Sequence, residues 1–152
     1  MVVPMSAPSP NSFEGVAQKM IGAIVEWWKQ QPEAIAAALV GSYARREARS
    51  DSDIDLILLS RNPDFLLEDT SWVRQFGSPS SVSSENWGDV TSVRVRYPDC
   101  EVEFGLAAAA WASDPADPGV GRVVRQGIRI LHDPDRILGA RVERILATPP
   151  VG

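Results

Sequence analysis

The sequence predicts a mixed α/β fold with a partly antiparallel sheet. Three observations predict it. Apolar residues recur at helical spacing between Ser12 and Gln30. Two short apolar runs, AIAAALV at 34–40 and DIDLILLS at 53–60, have strand length. Residues 90–106 alternate apolar and polar on either side of a Pro98-Asp99 turn. At 152 residues the chain suits one domain better than two. We expect that domain over residues 12–147, with a disordered N-terminal tail at 1–11 and a C-terminal tail at 148–152. The tail expectation rests on three prolines, two serines and no apolar period in MVVPMSAPSP.

The elements follow in order. Asn11 with Glu14 reads as a capping-box variant that opens the first helix. Phe13, Val16, Met20, Ala23, Ile24 and Trp27 form its apolar face, and Pro32 ends it. The run at 34–40 reads as a buried strand closed by a tight Gly41-Ser42 turn. The run at 53–60 reads as a second strand covered on both faces. Pro63 to Phe76 reads as one helix carrying Phe65, Leu66, Trp72 and Val73, stopped by Gly77. Residues 77–88 (GSPSSVSSENWG) read as a loop. In the hairpin, Val93, Val95, Tyr97, Cys100, Val102 and Phe104 share one face, and Arg94, Arg96, Glu101 and Glu103 share the other. Residues 113–119 read as a loop. A short helix near 120–126, a strand near 128–132 and a last helix near 134–146 complete the chain. That helix turns Ile137, Leu138, Val142 and Ile145 inward. Trp27, Trp72 and Trp111 are expected in the core, with Trp28 and Trp87 partly exposed.

Charge narrows the function. Twenty acidic residues against fifteen basic ones give a net charge of -5, which disfavours a long nucleic acid held by a basic face. Lys19 and Lys29 are the only lysines, and the other basic residues are arginines, whose planar forks suit carboxylate and phosphate. One cysteine, Cys100, excludes an internal disulfide and makes the cytoplasm the expected compartment. No apolar run is long enough to span a membrane, so no membrane partner is expected.

The chemistry concentrates between Gly41 and Asp55. Asp53 and Asp55 stand two apart at the head of a strand. Their side chains share a face, about 6.6 Å apart along the backbone. At a partly buried site with an effective dielectric near 20, two such charges repel by about 2–3 kcal/mol. Arginines or divalent cations compensate such a pair, and Mg²⁺ suits a few carboxylates with waters and phosphates. Gly41 permits a tight turn, and Ser42 with nearby backbone N–H groups can hold phosphate oxygens. Arg45, Arg46 and Arg49 follow within one or two turns.

The segment GSYARREARSDSDIDLILLS, residues 41–60, resembles the DNA polymerase β-like nucleotidyltransferases, and the chain as a whole resembles their small stand-alone members. Gly-Ser, about ten residues, then Asp-x-Asp inside SDIDL carries that resemblance. It implies a mixed sheet with helices packed mainly on one side. It also implies transfer of a nucleoside monophosphate, AMP from ATP, to an acceptor, with pyrophosphate released. Asp53 and Asp55 would hold two Mg²⁺ ions. The third carboxylate would come from the strand CEVEFG, as Glu103 rather than Glu101, and would also take the acceptor's proton. Gly41 and Ser42, with Arg45 or Arg49, would hold the β- and γ-phosphates of the NTP.

Two features stand against this set. Simple pairing across the hairpin places Arg94 opposite Glu103 and Arg96 opposite Glu101, and such ion pairs need no function. Arg46 also departs from the family's GSxARG, which carries glycine there. The arginine either alters the helix start beside the phosphates or points to solvent. The acceptor, a small molecule or a protein, would be held by this domain, by a dimer mate or by another protein. The same resemblance allows a second class, an antitoxin-like or regulatory module that binds a toxin-like protein with weak or no catalysis.

Overall fold

A computed structural model describes residues 9, 11–113 and 118–148. The tail expectations at 1–8, 10 and 149–152, and most of the expected loop at 113–119, lie outside them. The helices are α1 (Phe13–Lys29), α2 (Gly41–Ala44), α3 (Pro63–Glu68), α4 (Pro118–Gln126) and α5 (Ile137–Ala147). Six strands, β1 (Ala34–Val40), β2 (Ile54–Ser60), β3 (Ser81–Asn86), β4 (Val90–Arg96), β5 (Glu101–Ala108) and β6 (Ile128–His132), form one sheet in the order β3-β4-β5-β2-β1-β6. Every neighbouring pair is antiparallel except β2 with β5. That parallel pair sets Asp55 level with Glu103.

The first helix starts one residue later than its sequence suggests. Ser12, not Asn11, is the cap, and its Oγ accepts the Gly15 N–H at 3.1 Å. The buried stripe is correspondingly Ala17, Ile24 and Trp28, while Ala23 is exposed. Trp28 is fully enclosed and its Nε1–H donates to the Ala36 carbonyl at 2.9 Å, which satisfies the indole inside the core. Trp27 is the half-buried one, stacked on Trp72 with 5.1 Å between ring centres. Trp72 in turn meets Phe104 edge to face.

Segment 63–76 divides into α3 and a 3-10 turn over Ser71–Phe76. Asp69 accepts the Ser71 N–H at 3.0 Å, an Asx-type turn that competes with helix continuation. Trp72 Nε1–H donates to the Leu66 carbonyl freed at the break. Phe65, expected in the apolar face, is exposed. The expected loop at 77–88 contains β3, an edge strand whose six residues are all exposed. Polar composition hid it, because an edge strand with no buried face has no apolar alternation to show. The last helix begins at Ile137, not at Pro134, and Ile137 is exposed. The Asp133 carboxylate caps it, accepting the N–H groups of Leu138 and Gly139.

Alternation splits the core in two. Ala37, Leu39, Ile54, Leu56, Val93, Val95, Val102 and Phe104 face α1, α3 and the 3-10 turn. Ala36, Ala38, Ile57 and Leu59 face α4, α5 and Trp111. Helices therefore cover both faces of β1 and β2, where the resemblance implied packing mainly on one side. The polar residues of β4 and β5 point to the side opposite α1, which α4 and α5 leave uncovered beyond β2. That asymmetry positions the site. Among the described residues, no helix is long and apolar enough to cross a membrane.

Candidate active site

Two levels of carboxylate lie side by side on that open face. Asp55 in β2 neighbours Glu103 in β5, and Asp53, just before β2, neighbours Glu101 at the start of β5. The parallel pairing of β2 with β5 brings these four together. The sequence showed each pair but not their adjacency.

On its other side Asp55 pairs with Val40, the last residue of β1, and so lies beneath the Gly41 turn. Gly41 has a φ of +72°, and a Cβ there would strike Asp55 Oδ2. Glycine is needed both for the left-handed backbone and for room beside the carboxylate.

Asp55 is the most perturbed of the four. Burial comes first among the causes, followed by contact with Glu103 and the charges of Glu103 and Asp53. Arg94 opposes them, and the net effect raises the pKa from 3.8 to about 7. Its Oδ1 is buried without a hydrogen-bond partner among the described residues. Contact with Asp53, then burial, also pushes Glu101 up.

The counter-ion to this cluster is Arg94 of β4. Its Nη1 lies 3.1 Å from Asp53 Oδ2 and 3.6 Å from Glu101 Oε2, and its Nη2 lies 3.5 Å from Glu103 Oε1. Burial works against the guanidinium charge. Glu103, Asp53, Glu101 and Asp55 outweigh it and hold the pKa above its ordinary value. The hairpin register of Arg94 with Glu103 was legible in the sequence. Its reach to Asp53 was not.

The arginines after Ser42 do not fill this role. Among the described residues, no ion pair joins Arg45, Arg46 or Arg49 to the carboxylates. Arg45 turns to Glu47 at 3.2 Å and packs over Gly127. Arg49 is exposed, and its N–H donates to Ser52 Oγ. Arg46 has a φ of 61° and lines a cavity with Tyr43 and Arg129 on the α1 side of the sheet. Ser42 lies in the turn itself, its carbonyl accepting the Glu47 N–H at 2.9 Å. Cys100 is half-buried, and burial pushes its thiol up, away from a reactive thiolate.

A cleft of about 360 Å³ opens beside Asp55 and Glu103. Gly105 and Ile57 line it from the sheet, Trp111 and Val123 from the helical side, and Trp87 from the β3–β4 turn. Trp87 is 60% exposed, an aromatic ring free to meet a ligand. A Cβ on Gly105 would come within 2.9 Å of Ile57 Cδ1 and 3.0 Å of the Leu56 carbonyl oxygen.

Hard oxygen donors with one buried, unpartnered carboxylate oxygen suit a divalent cation in their chemistry. Among the described residues, however, no three His, Cys, Asp or Glu side chains converge as an ion would need. The Arg94 guanidinium lies among the carboxylates instead.

Residues 23–80 match the family model described as Polymerase beta, Nucleotidyltransferase. That span carries Gly41, Ser42, Asp53 and Asp55 but stops short of Glu101 and Glu103. Among curated proteins no sequence matches the chain. Among solved structures, the chain is similar to the crystal structure of an aminoglycoside 6-adenyltransferase from Bacillus subtilis. The TM-score is 0.52 and the identity 14%, over 64% of this chain and 37% of that one. It is also similar to a nucleotidyltransferase-like protein from Exiguobacterium sibiricum 255-15. There the TM-score is 0.48 and the identity 15%, over 87% of this chain and 39% of that one. The chain thus spans well under half the length of these relatives. It is similar to the polymerase β-like nucleotidyltransferases and has their fold.

Proposed function

We propose that the chain transfers a nucleoside monophosphate, AMP from ATP, to an acceptor with release of pyrophosphate. The observation that carries this reading is the placement of Asp55. Its carboxylate is half-buried, with Oδ1 buried and unpartnered among the described residues, beside Glu103, under a glycine turn and open to a cleft. Ionisable groups strongly perturbed by burial and by neighbouring charges in a cleft concentrate at functional sites.

With Arg94 withdrawn from Asp53 and Glu103, those two and Asp55 would hold Mg²⁺, in two positions, and the metal would supply charge neutralisation at the attacking and leaving oxygens. Gly41 and Ser42 would present backbone N–H groups and a hydroxyl to the β- and γ-phosphates. Glu103 lines the cleft, and a carboxylate there would take the proton from an acceptor hydroxyl. Val90, Trp87 and Trp111 would shield that acceptor, or the base of the nucleotide, from water. The cleft is small, so it suits one nucleotide or one small acceptor group, and a protein acceptor would present a side chain to it.

A second reading has its own support. Arg94 already satisfies three of the carboxylates, as it would in an antitoxin-like or regulatory module with an idle site. Thermal denaturation with millimolar Mg²⁺ and ATP separates the two. A ligand present at about 100 times its Kd and binding only the folded chain adds about 2.7 kcal/mol. The catalytic reading expects such a rise, lost in Asp53→Asn/Asp55→Asn. No rise in the unmutated chain favours the module.

A further inference from the structure

One guanidinium reaches three carboxylates that come from two strands and the segment before β2. Nη1 serves Asp53 and Glu101, and Nη2 serves Glu103. Asp55 is the carboxylate of the four with no Arg94 nitrogen in ion-pair range, and its Oδ1 is the one left buried without a partner among the described residues. The carboxylates do not converge on an ion among the described residues. Three of them converge on Arg94.

We propose that Arg94 is the resident counter-ion of this site: its guanidinium stands where a divalent cation would sit, and it must release Asp53 and Glu103 before a cation can be fully held. This rests on the metal reading above and adds what limits it. A divalent ion and the guanidinium compete for the same oxygen atoms. Neither can be held fully while the other stays, because both draw on the same oxygens of Asp53 and Glu103.

The competition is built from this chain's own geometry. Arg94 is on β4, with its Cα opposite Glu103, so its reach to Asp53 crosses the whole width of β5. Its side chain is 44% exposed, which leaves solvent into which it can swing without unpacking the core. Asp55, out of its reach, is the oxygen donor a cation meets while Arg94 is still paired. Binding therefore begins at Asp55 and is completed when Arg94 leaves. Arg94 is a positioning residue here. It keeps the three carboxylates it reaches at their stations in the metal-free chain and weakens divalent binding.

Calorimetric titration of Mn²⁺ into the nucleotide-free chain tests this directly. Wild type, Arg94→Gln and Arg94→Lys are compared. Three partly exposed ion pairs broken together correspond to about tenfold in cation affinity. Arg94→Gln is expected to bind Mn²⁺ about tenfold tighter than wild type. Arg94→Lys, which keeps the charge but not the fork, should fall between them. If Arg94→Gln does not fold, Arg94→Lys decides alone by binding tighter than wild type. Unchanged or weaker Mn²⁺ binding in folded variants would overturn the proposal and leave Arg94 a structural tie. Absence of Mn²⁺ binding in all three chains would overturn the metal reading along with it.

Discussion

Asp55→Asn should make the metal-free chain more stable at alkaline pH, although it removes a residue at the centre of the candidate site. The folded chain raises the Asp55 pKa from 3.8 to about 7, burial being the first cause. The folded state therefore holds that proton more tightly than the unfolded state does. The stability this contributes is full below about pH 4 and is lost as the pH rises through about 7. A gap of about three pH units corresponds to about 4 kcal/mol if wholly realised. Asp55 is half-buried rather than enclosed, and solvent screening reduces that to about 2 kcal/mol. Asparagine keeps the shape and cannot ionise. Denaturation with a chelator present should then show Asp55→Asn more stable than wild type at pH 8 by about 2 kcal/mol. In a chain of this size that is about 4–8 °C in Tm. Below about pH 4 the two should nearly coincide, because Asp55 is then largely protonated in both states. Added Mg²⁺ should raise the wild-type midpoint and not that of the variant. A variant as unstable as wild type at pH 8, or less stable, would refute the reasoning that ionised Asp55 is held against the fold's own stability.

Three other substitutions probe the surroundings. Gly41→Ala should lower the urea midpoint by about 1–3 kcal/mol in stability, since φ is +72° and the new Cβ meets the Asp55 carboxylate; an unchanged midpoint would contradict the tight turn. Arg46→Gly should raise stability by about 0.5 kcal/mol, because a left-handed backbone costs an L-residue about 1–2 kcal/mol and the freer unfolded chain returns part of it; a drop in the midpoint would show that the arginine contributes more than it strains. Tyr97→Phe removes a 2.6 Å hydrogen bond to the Val73 carbonyl inside the core, and calorimetry should show a loss of about 1–2 kcal/mol.

Much of this molecule is written in periodicity. The strands at 34–40, 90–96 and 128–132, and the register of Arg94 with Glu103, follow from apolar runs, alternation and one Pro-Asp turn. What periodicity could not show falls into two kinds. β3 is an edge strand with no buried face, so it leaves no apolar pattern. The closeness of β2 to β5 depends on a parallel crossing of the chain. That pairing brings Asp55 to Glu103 and Asp53 to Arg94 across more than forty residues of sequence. The Asp53 and Asp55 pair, with Gly41 and Ser42, was legible because its spacing is local. The identity of its counter-ion was not: Arg94 meets Asp53 from another strand, while the nearer Arg45 turns to Glu47. Trp28 against Trp27 is a smaller case of the same limit. Both lie within reach of one helical face, and the partner surfaces, Ala36 and Trp72, decide which is enclosed.

Label transfer from ATP reads the proposed chemistry itself. The chain is incubated with Mg²⁺, a panel of hydroxyl-bearing small molecules and proteins, and ATP labelled at either the α- or the γ-phosphate. Nucleotidyl transfer predicts the α-label on an acceptor and the γ-label in free pyrophosphate, with both signals lost in Asp53→Asn/Asp55→Asn. Equal α-label transfer by the double variant, or the γ-label on the acceptor, would contradict the account.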